Sequence, residues 1–155
     1  MLSVAKTNED IIRKLWGELH GSGSKASLEM MTGFMDENID WEVVPLGLKR
    51  HGIAEVKLLI QSSWNDMPEG GHHEITNVFA NDEWVCLEYT AHGKITKELK
   101  HLNLNHPVEG QVIEVRSIDV FHIKNGKIDL AREYYDHATL LRQLGVKTLE
   151  DMPMQ

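Results

Sequence analysis

Asp119 and Glu133 are the side chains of this sequence whose type and setting suggest chemistry. They flank the pair Asn125-Gly126 in the stretch EVRSIDVFHIKNGKIDLAREYYDHATLLRQLG, residues 114–145. In its first run, an extended chain puts Val115, Ser117, Asp119 and Phe121 on one side, with Arg116, Ile118, Val120 and His122 on the other. Asn-Gly accepts the positive φ angles of a two-residue hairpin turn, and beyond it the alternation groups Asp129, Ala131, Glu133 and Tyr135. The expected hairpin brings Asp119 and Glu133 onto one face with Phe121, Ala131 and Tyr135. Burial raises a carboxyl pKa and two adjacent carboxylates repel, so one holds its proton while the other is free to accept one. That division supplies an acid and a base. The competing reading makes Glu133 a surface partner of Arg132 or Lys127, and Asp119 a partner of Arg116 or of a backbone N–H.

Aromatic residues supply the surroundings. Trp41, Trp64, Tyr89, Phe121 and Tyr135 are candidates to line a central pocket for a flat apolar ligand, with Tyr89 or Tyr135 donating to a carbonyl or enolate oxygen. Plain core packing is the alternative for each of them. Nine histidines invite a metal reading, but His72-His73 are adjacent and His101 and His106 are five apart, so neither pair shares a strand face. No H-E-x-x-H, cysteine cluster or glycine-rich phosphate loop occurs, so neither a metal nor a cofactor is expected.

The elements that must position these residues can be read in order. Thr7 or Asn8 is the expected cap of a first helix carrying Ile11 or Ile12, Leu15, Trp16 and Leu19, which the run Gly21-Ser22-Gly23-Ser24 ends. Leu28, Met31, Phe34 and Met35 form the stripe of a second helix starting near 24–27. Residues 39–44 alternate as a half-buried strand ended by Pro45, with Trp41 inward. Lys49-Arg50-His51-Gly52 reads as a basic loop before a third helix, whose inner face is Ile53, Val56, Leu59, Ile60 and Ser63 and whose last turn holds Trp64. Met67-Pro68-Glu69-Gly70-Gly71 reads as a turn, and residues 73–79 and 83–91 as a hairpin. Residues 94–107 are a rim segment of undecided form. Helices first and strands afterwards predict an α+β fold with the helices on one face of the sheet.

Composition sets the bounds. A chain of 155 residues, 41% hydrophobic and 26% charged, suits one globular domain over residues 1–155. A formal net charge of -8 argues against nucleic acid as partner. The N-terminal MLSVAKTNED lacks the apolar stretch of a signal peptide, and no apolar run approaches the ~20 residues of a membrane span. A cytoplasmic protein with no membrane partner is the expectation. The single Cys86 is expected to be a packed strand residue without a redox role.

The run F-x-I-x-N-G-K-I, then R-E-Y-Y-D, then L-R-Q-L-G resembles the SnoaL-like polyketide cyclases, and is similar also to the limonene epoxide hydrolases of the same nuclear transport factor two-like superfamily. W-E-V-V-P-L and the His51-Gly52 helix start extend the likeness upstream. The resemblance implies a cone-shaped α+β fold, in which a strongly curved, mostly antiparallel sheet wraps a pocket closed by N-terminal helices. It implies an acid or base at Glu133, where the families carry aspartate, and a homodimer paired sheet to sheet. Asp119 departs from both patterns, which have histidine or a small residue there. Where the hydrolases need an Arg and an Asp two residues apart, this chain has Tyr89 and Ala91, and their polar pair on the first strand becomes Trp41 and Val43. Those departures argue against epoxide hydrolysis. The expected function is cofactor-independent proton transfer on an apolar carbonyl compound, as cyclase or isomerase. A non-catalytic binder of an apolar small molecule and a dimeric interaction module are the alternatives.

Overall fold

Asn125 and Gly126 adopt φ of 52° and 73°, the left-handed pair that matches a tight hairpin to the twist of its strands. They do so in a computed structural model that describes residues 3–19, 25–65, 69–96 and 104–147. Its elements are α1 (Val4–Lys14), a π-helical turn (Leu15–Leu19), α2 (Lys25–Thr32), β1 (Met35–Val43), a 3-10 turn (Val44–Leu46), β2 (Leu48–His51), α3 (Ile53–Asn65), β3 (Glu69–Ala80), β4 (Trp84–Lys94), β5 (Val112–Lys124), β6 (Lys127–Tyr135) and α4 (His137–Gln143). The strands form one open sheet in the order β2-β1-β6-β5-β4-β3. Every pairing is antiparallel except that of β1 with β6. The fold is α+β, an open cone of mostly antiparallel sheet with α1 against β3 and β4 and α3 against β1.

Alternation decides which strand residues face the helices. Val115, Ser117, Asp119, Phe121 and Ile123 of β5 are buried, and so are Val85, Leu87 and Tyr89 of β4. Val85, Leu87, Tyr89, Phe121 and Ile123 meet Ile12, Leu15 and Trp16 from the N-terminal helix and Val56, Ile60 and Trp64 from α3 in one core. A smaller cluster of Ile95, Val108 and Leu144 seats α4.

Several local expectations give way to competing bonds. The cap of α1 is Ser3, whose hydroxyl accepts from Lys6 N at 3.2 Å. Asn8, expected as a cap, is buried and donates to the carbonyl of Asp82 at 3.1 Å, tying α1 to the β3–β4 turn. Phe34 and Met35 fall outside the second helix: α2 ends before Gly33, and Met35 opens β1 opposite Ile128. Ser63 is exposed on α3. Lys49-Arg50-His51 is not a loop but part of β2, an edge strand whose charges leave no apolar period to detect and guard its open edge. Glu69-Gly70-Gly71 begins β3. The rim segment lies partly outside the described residues. Its described end folds back, with Ile95 N donating to Gln111 O at 2.8 Å and His106 Nε2 2.7 Å from Leu144 O.

Candidate active site

The hairpin register places the two acids face to face. Asp119 on β5 pairs with Glu133 on β6, and the row continues to Leu87 on β4 and Val43 on β1. One row toward the hairpin turn lie Val85, Phe121, Ala131 and Trp41; one row the other way lie Tyr89, Ser117 and Tyr135. Two carboxyls therefore stand between two aliphatic side chains, with aromatic rings in the rows on either side.

Their polar contacts differ. Tyr89 Oη donates to Asp119 Oδ2 at 3.2 Å, while Asp119 Oδ1 is buried with no hydrogen-bond partner. Trp41 Nε1 donates to Glu133 Oε1 at 2.8 Å. Asp119 is 0% exposed, and burial first, then the Glu133 charge, pushes its pKa well above the carboxylate range, against the pull of the Tyr89 and Trp16 donors. Glu133 is half-buried; desolvation raises its pKa to about 7, and the Trp41 bond moderates the rise. Both carboxyls are thus pushed toward the neutral form, and the charge of either one opposes ionisation of the other, so they titrate as a pair. Burial, with help from the carboxyls, holds Tyr89 well above 10 and Tyr135 at about 12, so both remain phenols.

Among the expected ligand residues, Trp41 and Phe121 flank the acids on the inner face, and Tyr89 and Tyr135 lie in the row beyond. Trp64 is buried in the core from the last turn of α3. Asp129 leaves the inner set: its carboxylate lies 2.6 Å from His122 Nδ1, on the opposite face. Two residues escaped the sequence reading. Trp16 is 2% exposed and fills the inner face, its ring 4.4 Å from Phe121 and stacked on Trp41 at 6.0 Å. On a helix it reads as ordinary core. The His73 ring lies tilted against Tyr89, centroids 4.5 Å apart, and bonds the Trp16 carbonyl; burial lowers its pKa to about 4, so it is neutral at pH 7. Its shared parity with Ile75, which pairs with Tyr89, was the available signal. Among the described residues no group of three or more His, Cys, Asp or Glu converges on a metal-sized site. A concavity of about 280 Å³ opens between Arg116, Ile118 and Tyr134 and reaches Ser117 and Tyr135.

A family model for the SnoaL-like polyketide cyclases matches residues 15–144. The chain belongs to that family. No curated protein matches it. Among solved structures, a Jannaschia sp. CCS1 protein described as a SnoaL-like polyketide cyclase shares 14% identity at TM-score 0.80, over 96% of this chain and 98% of that one. An M. tuberculosis LEH-like epoxide hydrolase superposes with TM-score 0.66, 15% identity and 92% of each chain. A Catenulispora acidiphila DSM 44928 protein with a ketosteroid isomerase-like fold, solved in complex with trimethylamine, gives TM-score 0.67 at 14% identity, over 89% of this chain and 94% of that one. At these identities the likenesses establish the fold. No helix among the described residues is long and apolar enough to cross a membrane.

Proposed function

We propose that this SnoaL-like protein moves a proton at the carbon beside a carbonyl group of an apolar small molecule, in a cyclisation or isomerisation without a cofactor. The observation that carries this reading is the face-to-face Asp119–Glu133 pair, held by burial so that Glu133 exchanges its proton near pH 7. A base works best when its pKa lies near the working pH, and a pair whose environments separate two pKa values divides into acid and base. Glu133 is the base. Asp119 keeps its proton, and its carboxyl, whose Oδ1 has no protein partner, is proposed to donate to the oxygen that gains charge as the proton leaves carbon. Trp41, Trp64, Tyr89, Phe121 and Tyr135 supply the apolar setting for the ligand. Epoxide opening is disfavoured because Tyr89 and Ala91 stand where the hydrolases carry Arg and Asp, and the Trp41 N–H is already committed to Glu133. The working unit is proposed to be a cytoplasmic homodimer.

The test is deuterium exchange. Incubation in heavy water with a panel of aromatic ketones, 2-tetralone and acylated naphthols among them, should accelerate exchange at the carbon beside the carbonyl. Glu133→Gln should lower kcat by ~10²- to 10⁴-fold with KM little changed, since the amide keeps the shape but takes up no proton. Unchanged exchange in the variant would move the base elsewhere. Ketones that bind without exchange would make the chain a binding protein.

A further inference from the structure

Trp41 was expected to be a wall of the site, but its one polar atom is spent on Glu133. On β1 it is Val43, not Trp41, that pairs with Glu133, whereas Trp41 pairs with Ala131, two residues back along β6. The Glu133 carboxyl therefore has to extend diagonally across the strand pair to meet the indole, and it arrives at 2.8 Å, a distance typical of a charge-assisted bond. An aspartate at this place would stop one methylene short. The indole cannot follow a retreating carboxyl, because it is 3% exposed and lies nearly parallel to Trp16, at 16°.

We infer that Trp41 is the positioning residue of Glu133, and that the length of the glutamate side chain and the indole N–H form one unit. An indole N–H only donates and does not titrate in water, so it always claims an acceptor atom and never competes for the proton. With Oε1 held, Oε2 is the oxygen that takes and returns the proton. The donor also stabilises the charged form, so Trp41 sets the base strength as well as its aim.

This rests on the reading of Glu133 as the base, but its test needs no substrate. The carboxyl of Glu133 is followed by carbon-13 NMR during a pH titration and assigned through Glu133→Gln. Trp41→Phe should raise the titration midpoint by about one pH unit, the size expected for losing a hydrogen bond to a charged group. In Glu133→Asp the shorter acid is out of reach, so adding Trp41→Phe should leave the midpoint unchanged, a coupling that only a direct bond produces. In the parent protein the Trp41 indole proton resonance should move with the Glu133 midpoint, and this readout serves if Trp41→Phe does not fold. An indole proton that stays flat while Glu133 titrates overturns the inference, as does a midpoint that Trp41→Phe leaves in place or lowers. A Trp41-linked titration in a protein that exchanges no ketone upholds the positioning and overturns only the base assignment.

Discussion

A carboxyl that ionises near pH 7 in the fold and near 4.5 outside it links Glu133 to stability. The folded state binds the extra proton between those values, so this contribution is fully present below about 4.5 and is lost as the pH rises through about 7. At ~1.4 kcal/mol per pH unit the ceiling is about 3 kcal/mol. Asp119, also raised, acts in the same direction. His73 acts the other way: its pKa of about 4 against an ordinary 6.5 means that stability is gained as the pH rises through that interval. The parent's own profile therefore mixes signs, and the difference between parent and Glu133→Gln isolates the carboxyl. Urea unfolding should find the variant more stable than the parent at pH 8 and no more stable at pH 4. A variant that is destabilised at pH 8 would make Glu133 a structural partner rather than a strained acid.

At the scale of the element, one residue decides which side chains reach the site. Near the turn the hairpin pairs Lys124 with Lys127 and Ile123 with Ile128, a register that would set Asp119 opposite Arg132. Past a bulge the pairs become His122 with Leu130 and Asp119 with Glu133. Asp129 is the extra residue, and the ring of His122, itself 4.7 Å from Trp84, holds its carboxylate on the outer face. A one-residue slip turns every side chain of a strand over. Deleting Asp129 should therefore remove the bulge and leave a regular hairpin in which Asp119 still faces Glu133, so the Glu133 midpoint should stay raised. His122→Ala keeps the residue count, so it should keep the register and cost only about 1 kcal/mol. A Glu133 midpoint that falls to the ordinary carboxylate range when Asp129 is deleted would mean that Asp129 is not the extra residue of the hairpin.

The whole molecule leaves apolar side chains on the outer side of the sheet. Phe79 pairs with Cys86, and Cys86 with Val120; beside them Ile118 pairs with Tyr134. Phe79 is 63% exposed, and Ile118 and Tyr134 about two-fifths each. A patch of this kind is a common mark of a protein partner, and the proposed homodimer would cover it, because sheet-to-sheet contact about a two-fold axis repeats the same patch on both sides. Sedimentation should find a dimer at micromolar concentration. Ile118→Glu, placed beside Glu88 in the same cross-strand pair, should dissociate it without moving the Glu133 midpoint. A parent that sediments as a monomer removes the dimer.

The sequence by itself determined what local rules can carry: the Asn125-Gly126 hairpin, the alternation that buries Ser117, Asp119 and Phe121, the inward Trp41, the helix-then-strand order and the family. Edge strand β2 was illegible because its charges carry no apolar period. The alternation grouped Glu133 with Ala131 and Tyr135, but only the bulge at Asp129 brought that group to the Asp119 face. Tertiary structure alone decided that the Trp41 indole meets Glu133, that Trp16 fills the inner face and that His73 lies on Tyr89. The physical reason is separation along the chain. Propensity and periodicity act over a few residues, whereas burial, carboxyl pairing and an indole bond spanning 92 residues exist only once the strands have met.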